Sequence, residues 1–288
     1  MKVYDDKHIK NVALVGASGS GKTTLALSIM RLLAETKDLF QCGQIYWDEK
    51  KIRSMSNRDM QDIRGGEIAM VFQEPLAALN PVISVGLQVA EVLRKHKGME
   101  RKNAREKVIE LFRLVNISGA AQRFHAFPHE LSGGMRQRVM IAMAIAGDPR
   151  LVIADEPTSA LDVPIQAQIL SCLSDLQRKM DLAILFISHD LAIVAQFCQR
   201  LYVLFGGQVM ETGPTHELIE APKHPYTQAL LLSDPSFWKL GNEIVGQKAS
   251  FGLMVPPAKK GCPYTLRCSK AKSACKQKRP PLTVVGDQ

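Results

Sequence analysis

A glycine-rich loop near the start of the chain constrains the fold more than any other segment. Residues 10–15 have the pattern of a short apolar strand, and a helical pattern starts after the loop at Leu25. Glycines allow consecutive backbone N–H groups to wrap around a phosphate, which also faces the positive end of the following helix. The order strand, glycine loop and helix therefore predicts a P-loop in an α/β fold. The loop residues are Gly16, Ala17, Ser18, Gly19, Ser20, Gly21, Lys22, Thr23 and Thr24.

Two residues of this loop have predicted roles in binding a nucleotide. Lys22 is expected to bridge the β- and γ-phosphates, and Thr23 is expected to bind Mg²⁺ through its hydroxyl group. The alternative is a glycine-rich turn with no ligand. The strand and helix on either side of the loop argue against that alternative.

A second apolar strand pattern, over residues 151–154, leads into two carboxylates, Asp155 and Glu156. The carboxyl ends of parallel strands are the usual place for chemistry in α/β sheets. We expect Asp155 to hold Mg²⁺ through water and Glu156 to orient and polarise the attacking water. A pair of acids after a strand often caps a helix instead, but the P-loop upstream favours the catalytic interpretation.

Residues 131–138 form a second candidate phosphate-binding surface, because Ser132 is a good N-cap and two glycines leave the helix N-terminus open to an anion. The segment closely resembles the signature motif of ATP-binding cassette (ABC) proteins. This resemblance implies two ATP molecules sandwiched in a head-to-tail dimer, where each signature motif completes the partner's site. The residues expected to contact the partner's ATP are Ser132, Gly133, Gly134 and Gln137.

Three further motifs follow the order found in that family. Gln73 follows a strand and is expected to reach Mg²⁺ and the attacking water with its amide. His189 follows another strand and is expected to donate a hydrogen bond to the γ-phosphate. The resemblance places Asp162 at the dimer seam. Together these motifs predict a P-loop NTPase fold of the ABC ATPase type with a mixed sheet, a helical insert and a small C-terminal appendage.

The helical patterns at residues 85–97 and 101–115 indicate a helical subdomain over about residues 75–147. We therefore expect an ABC ATPase domain over residues 1–232 and a C-terminal extension over residues 233–288.

Several short motifs are similar to those of ATPase subunits of bacterial oligopeptide, dipeptide and nickel permeases. They include residues 72–75, 79–81, 127–130, 224–227 and 261–264. This resemblance implies ATP-driven uptake of peptides or a related solute through two membrane permease subunits. It also implies a second ABC ATPase subunit, identical or different, and an extracytoplasmic solute-binding protein. The family stacks an aromatic residue on adenine near its N-terminus, and Tyr4 matches that position poorly by spacing.

The distribution of charge and the hydropathy of the chain indicate where the protein is located and which partners it binds. Eight Lys and Arg residues lie within residues 259–279, so the net charge of +9 belongs largely to the tail and residues 1–258 carry only +2. This distribution argues against nucleic acid as a partner. The longest apolar run, residues 139–146, is far shorter than the about 20 residues of a membrane span. Since the acidic start of the chain is unlike a signal peptide, we expect a peripheral protein on the cytoplasmic face of the bacterial inner membrane.

Three cysteines lie close together in the tail, Cys262, Cys268 and Cys275, and in a cytoplasmic chain they indicate metal binding rather than a disulfide. Their surroundings are rich in Lys and Pro and poor in apolar residues, so we expect no packed core there without a metal. Their spacing fits an iron–sulfur loop better than a zinc site. A fourth cysteine is missing, so three reduced thiols in a disordered tail are an equal alternative.

Two other functions remain open at this stage. A cassette ATPase of DNA repair or translation would carry a long coiled-coil insert or a second cassette, which the sequence lacks. A non-catalytic or regulatory nucleotide-binding subunit is the other alternative, and Glu156 and His189 argue against it.

Overall fold

The computed structural model describes residues 10–33, 43–159, 161–237, 258 and 260–284. The chain divides into two compact units. The first unit comprises residues 1–23 and 186–288, and the second comprises residues 24–185. The candidate adenine-stacking residue Tyr4 lies outside the described residues.

The described residues form eight strands and twelve α-helices. The strands are β1 (Asn11–Val15), β2 (Tyr46–Trp47), β3 (Lys50–Lys51), β4 (Ile68–Val71), β5 (Leu151–Asp155), β6 (Ala183–Ser188), β7 (Arg200–Phe205) and β8 (Gln208–Pro214). The helices are α1 (Lys22–Ile29), α2 (Asn57–Gly66), α3 (Pro75–Ala78), α4 (Val85–Lys97), α5 (Arg101–Leu114), α6 (Ala120–Arg123), α7 (Gly133–Ile145), α8 (Val163–Met180), α9 (Leu191–Phe197), α10 (Thr215–Glu220), α11 (Pro225–Leu232) and α12 (Ser273–Gln277). None of these helices is long and apolar enough to cross a membrane.

The first unit contains the strand order β6-β1-β7-β8, in which β1 and β7 run parallel and β7 and β8 run antiparallel. Every residue of β1 is buried, as expected for a parallel strand covered on both faces. The ladder between β7 and β8 shifts its register between Val203 and Leu204. This bulge lies at the carboxyl end of β7, one residue before Phe205.

The second unit contains the strand order β4-β5-β6, with β4 and β5 parallel and Ile68 opposite Leu151. Strand β6 crosses the boundary between the units at Phe186. Parallel and antiparallel pairs thus both occur, and the mixed sheet predicted from the sequence is confirmed.

Helices α4, α5 and α7 pack against one another in the second unit. The bounds expected for α4 agree with the structure, and α5 ends one residue earlier than expected. Leu111, Leu114 and Val115 form an apolar stripe at helical spacing, and Leu111 and Val115 are buried. The stripe therefore belongs to the core of the unit.

The beginning of α4 is held by the chain segment that precedes the signature motif. The N–H groups of Val85 and Gly86 donate to the carbonyl oxygens of Ala126 and Phe124, at 2.9 and 3.0 Å. These donors have no partner within their own helix, so the segment satisfies them. A Cβ atom on Gly86 would lie 2.4 Å from the Phe124 ring, so only glycine allows this approach.

We expect Gly86→Ala to lower the free energy of unfolding by about 1–3 kcal/mol, because the added methyl group collides with the ring and carbonyl of Phe124. This loss outweighs the gain of at most about 1 kcal/mol from the better helix propensity of alanine. Urea denaturation measures the change, and Glu91→Ala on the exposed face of α4 is the control. A Gly86→Ala protein as stable as the wild type would show that this contact does not constrain the helix.

Candidate nucleotide site

The P-loop of the first unit has the backbone of a phosphate cradle. Gly16, Gly19 and Gly21 have φ angles of 154°, 74° and 100°, in the region that favours glycine. A Cβ atom on Gly16 would lie 2.1 Å from the carbonyl oxygen of Leu204. The turn closes through the N–H group of Ser20, which donates to the carbonyl oxygen of Ala17 at 3.1 Å.

Lys22 lies at the start of α1 and is only 6% exposed. Its Nζ atom donates to the carbonyl oxygens of Gly16 and Ala17, at 2.8 and 3.2 Å. The ammonium group is therefore held by the loop itself, beside backbone N–H groups at the beginning of a helix. A helix N-terminus with a lysine and a glycine loop has the chemistry that binds a polyphosphate.

The second unit carries the predicted catalytic carboxylate. Strand β5 ends at the buried Asp155, and Glu156 follows it. The amide Nε2 of Gln73, two residues beyond β4, donates to Oε2 of Glu156 at 3.0 Å. The structure thus brings together two residues that the sequence assigned separately to the attacking water.

Glu156 has a φ angle of 45°, which is uncommon for a residue with a side chain. Its carbonyl oxygen accepts from the N–H and Oγ groups of Ser159, at 3.1 and 2.9 Å. These hydrogen bonds close a tight turn directly after β5. The turn holds the carboxylate at the strand end in a strained conformation, as is common at functional sites.

The residues predicted to hold Mg²⁺ offer oxygen ligands, which this cation prefers. In the second unit these are the carboxylate of Asp155, which is 2% exposed, and the amide oxygen of Gln73. In the first unit, the exposed Thr23 supplies a hydroxyl group in the first turn of α1. Each of these side chains therefore has the chemistry of a Mg²⁺ ligand.

The signature segment begins α7, and Ser132 is its N-cap, accepting from the N–H group of Met135 at 3.3 Å. Asp162 caps α8 in the same way, accepting from the N–H group of Ile165 at 3.0 Å. A Cβ atom on Gly134 would lie 2.7 Å from Cγ2 of Ile165. Glycine therefore lets the beginnings of the two helices approach, which brings Ser132 and Asp162 to the same part of the second unit.

The other signature residues have different surroundings. A Cβ atom on Gly133 would lie 3.4 Å from Cδ2 of Leu161, which is an ordinary contact distance. Gln137 is 2% exposed, and its Nε2 atom has no hydrogen-bond partner within the described residues. Its neighbour Arg138 donates to the carbonyl oxygen of Val115 and to Oε1 of Gln168, at 2.7 and 2.9 Å. The structure therefore places Gln137 in the interior of its unit.

His189 belongs to the first unit, where it directly follows β6 and is exposed. The next residue, Asp190, caps α9 by accepting from the N–H group of Ile193 at 3.0 Å. The histidine is thus fixed between a buried strand and a capped helix.

The cysteine segment, residues 260–277, is closed by backbone contacts. The N–H group of Cys262 donates to the carbonyl oxygen of Cys275 at 2.8 Å, beside Gly261, where a Cβ atom would lie 2.1 Å from the same oxygen. Burial raises the pKa of the Cys268 thiol, and interaction with Cys262 and Cys275 raises it further. Even so, no group of three or more His, Cys, Asp or Glu residues in the described ranges could hold a metal ion.

The cysteine segment is joined to the rest of the first unit by aromatic contacts. Tyr264 is 8% exposed, and its ring lies 5.3 Å from that of Phe205 and 5.2 Å from that of Tyr226. The sequence predicted no packed core here without a metal, whereas the structure shows Tyr264 of this segment in contact with aromatic rings that the rest of the unit provides.

Sequence reasoning missed the role of Tyr226, although its motif was noted. The hydroxyl oxygen of Tyr226 accepts from the N–H group of Ala17 in the P-loop, at 2.8 Å. Because this contact joins residues 209 positions apart, no local pattern reveals it.

Comparisons with known proteins agree with this geometry. Residues 6–159 match the family model described as ABC transporter, and residues 210–275 match the oligopeptide/dipeptide transporter C-terminal region. The oligopeptide transport ATP-binding protein OppD of Bacillus subtilis is 45% identical over 96% of this chain and 78% of its own length. The related AppD of the same organism is 44% identical over 96% of this chain and 85% of its own.

Solved cassettes share the fold. A dimeric structure of the ATP-binding cassette MJ0796, bound to ADP and Pi in a post-hydrolysis state, is 29% identical with a TM-score of 0.63. The match covers 72% of this chain and 85% of that one. The chain belongs to the ABC transporter family and is an ATPase of that family, whose members use ATP and Mg²⁺. Within the family it falls in the oligopeptide/dipeptide transporter branch.

We expect Gly134→Ala to destabilise the second unit by about 1 kcal/mol, because the methyl group meets Cγ2 of Ile165. In an Ile165→Ala background the same substitution should cost less, with a coupling energy of about 0.5–1.5 kcal/mol in a double-mutant cycle. Gly133→Ala is the matched control, since its methyl group finds an ordinary contact distance. Additive effects in urea denaturation of the four proteins would contradict the contact.

Proposed function

We propose that this chain is the ATP-hydrolysing motor of a bacterial ABC importer that takes up peptides. The hydrogen bond from Gln73 to Glu156 carries the catalytic part of the proposal, because it holds a carboxylate and an amide together at the end of two parallel strands. The names of OppD and AppD, as oligopeptide transport ATP-binding proteins, support peptides as the cargo.

Each residue of the site has a role in hydrolysis. Lys22 leaves the loop carbonyls to bind the β- and γ-phosphates, while the loop N–H groups hold the β-phosphate. Thr23, Asp155 and Gln73 are the residues that would hold Mg²⁺, which when bound would neutralise the phosphate charge. Glu156 accepts a proton from the attacking water, and Gln73 keeps its carboxylate oriented. His189 donates a hydrogen bond to the γ-phosphate.

Hydrolysis requires two ATPase subunits arranged head to tail. Ser132, Gly133 and Gly134 at the beginning of α7 contact the ATP bound by the partner subunit, with Asp162 beside the seam. Gln137 supports this surface from the interior of its own unit. The dimeric MJ0796 cassette supports such an assembly. The partner is either a second copy of this chain or a different ABC ATPase.

The helical part of the second unit binds the membrane permeases. An apolar strip follows Gln73 and contains Leu76, Val82 and Leu87, which are 56%, 79% and 56% exposed. Exposed apolar strips of this kind mark protein interfaces. Since Gln73 leads into the strip, a change at the γ-phosphate reaches the docking surface through the same segment.

The assembly contains two permease subunits and an extracytoplasmic solute-binding protein. This chain lies at the cytoplasmic face of the inner membrane through its permeases. Residues 1–232 form the ATPase domain, with the helical subdomain over about residues 75–147. Residues 233–288 form the C-terminal extension.

An iron–sulfur cluster does not fit the described part of the tail. The three thiols interact electrostatically, but they and the other described residues form no group able to hold a metal ion. The proposal therefore assigns no step to a cluster. Iron and sulfide analysis after anaerobic purification tests this assignment, and a brown protein that loses its colour on Cys268→Ser would contradict it.

Glu156→Gln should leave ATP binding intact and lower turnover by about 10²- to 10⁴-fold, because the amide cannot accept the proton of water. The protein should accumulate as an ATP-bound dimer in size-exclusion chromatography. Lys22→Ala should instead weaken ATP binding about ten- to hundredfold, since it removes the positive charge from the phosphates. Lys179→Ala, an exposed change on α8, is the control. Wild-type turnover in Glu156→Gln would refute the catalytic assignment of Glu156, whereas a wild-type assembly that binds ATP without hydrolysing it would favour the alternative of a non-catalytic subunit.

A photo-crosslinker placed at Ala77 or Ala78 should react with a cytoplasmic loop of a permease in membranes, because both residues belong to the apolar strip segment. The same group at Lys179 is the control position. Crosslinks from residues 77 and 78 to other partners alone would refute coupling to transport and would favour a cassette outside transport.

A further inference from the structure

The Gly16–Ala17 peptide of the P-loop is held at both of its polar atoms. Its carbonyl oxygen accepts from Nζ of Lys22 at 2.8 Å, and its N–H group donates to the hydroxyl oxygen of Tyr226 at 2.8 Å. A peptide group is planar, so fixing the N–H group also fixes the direction of the carbonyl oxygen. The orientation of Tyr226 therefore sets the geometry of the oxygen that holds Lys22.

Tyr226 is itself held firmly. It is 5% exposed, in the first turn of α11, and its N–H group donates to Nδ1 of His224 at 3.1 Å. The N–H group of His224 in turn donates to the carboxylate of Glu211 at 3.0 Å. Burial lowers the pKa of His224, which keeps its ring in the neutral form that accepts this hydrogen bond.

The ring of Tyr226 packs in an aromatic cluster to which the cysteine segment contributes one member, Tyr264. The centroids of Tyr226 and Phe205 are 4.8 Å apart, and Tyr264 lies 5.2 Å from Tyr226 with the two rings tilted by 58°. Aromatic pairs at such distances are favourable and directional. Arg267, three residues after Tyr264, covers Phe205 at 5.5 Å.

Tyr264 has little freedom to move. The carbonyl oxygen of Tyr264 accepts from the N–H group of Arg267 at 2.9 Å. The N–H group of Thr265 donates to the carbonyl oxygen of Cys262 at 3.0 Å, and its hydroxyl group donates to that of Cys275 at 3.1 Å. The closed cysteine segment thus presents Tyr264 to the cluster in one orientation.

We infer that Tyr226 is a positioning residue of the ATP site and that the cysteine segment, through Tyr264, sets the affinity of the P-loop for ATP. The inference rests on the proposed function, because it concerns the same nucleotide site. Tyr226 acts through the Gly16–Ala17 peptide and touches no reacting atom. Its loss therefore changes ATP binding rather than the chemical step.

Tyr226→Phe, which removes only the hydroxyl oxygen, should raise the KM for ATP and the Kd for a fluorescent ATP analogue by about three- to tenfold. The turnover number should stay within about twofold, because Glu156 and its surroundings are unchanged. Tyr202→Phe removes a hydroxyl group from β7 in the same unit and is the matched control. An unchanged KM, or a fall in turnover at constant KM, would overturn the inference.

Ala17 donates the hydrogen bond to Tyr226, and its substitution allows a second test. This test distinguishes a positioning role of Tyr226 from a general effect on stability. Ala17→Pro removes the N–H donor, so Tyr226→Phe should have no further effect on KM in that background. Additive effects of the two substitutions would show that the hydroxyl group acts elsewhere. Melting temperatures of all variants are measured in parallel, and a KM increase that only follows loss of folded protein would also count against the inference.

The cysteine segment is tested at Tyr264. Tyr264→Ala should raise the KM for ATP as Tyr226→Phe does, whereas Tyr264→Phe should leave it unchanged because the ring remains. An unchanged KM in Tyr264→Ala would remove the segment from the inference. A wild-type protein, assembled with its partners, that neither binds nor hydrolyses ATP would refute the proposed function instead, so the two failures are distinguishable.

Discussion

The approach of Gly16 to the carbonyl oxygen of Leu204 is the constraint on which the first unit depends. A side chain at Gly16 would occupy the space of that oxygen, so the loop can leave β1 beside the end of β7 only with glycine there. This proximity places Ala17 within reach of Tyr226 and lets Lys22 turn back onto the loop. Phe205 follows Leu204 directly and anchors the aromatic cluster. The P-loop and the cysteine segment therefore both pack against the last two residues of β7, Leu204 and Phe205.

The second unit uses glycine for a different purpose. Gly134 carries no side chain against Ile165, and Gly86 carries none against Phe124. In both places the first turn of a helix lies against a neighbouring segment. Ser132 caps α7 from its own N-terminus, whereas the carbonyl oxygens of Phe124 and Ala126 satisfy the first N–H groups of α4. Removal of side-chain bulk thus allows the helix N-termini to pack closely against these segments.

Much of the fold, and most of the candidate site residues, could be predicted from local patterns in the sequence. Continuous apolar runs revealed β1, β5 and β6, and the helical period revealed α4 with both of its ends. The sequence placed Gln73 and Glu156 separately, each after a strand, and the structure shows that these strands are parallel neighbours, which brings the two residues to the same edge. Contacts between distant residues gave no such signal. Phe205, Tyr226 and Tyr264 share no period in the sequence, so their cluster, and the packed state of the cysteine segment, emerged only from the tertiary structure.

The left-handed backbone at Glu156 has a consequence for how such a site changes over generations. A residue with a side chain in that conformation costs roughly 1–2 kcal/mol relative to an unstrained one, whereas glycine adopts it freely. Replacement of Glu156 by glycine would therefore relieve strain while it removes the proton acceptor. The same substitution would thus stabilise the backbone and abolish hydrolysis. Only selection for ATP turnover can keep a glutamate at the end of β5, and a copy of the gene released from that selection would drift toward a more stable, inactive protein.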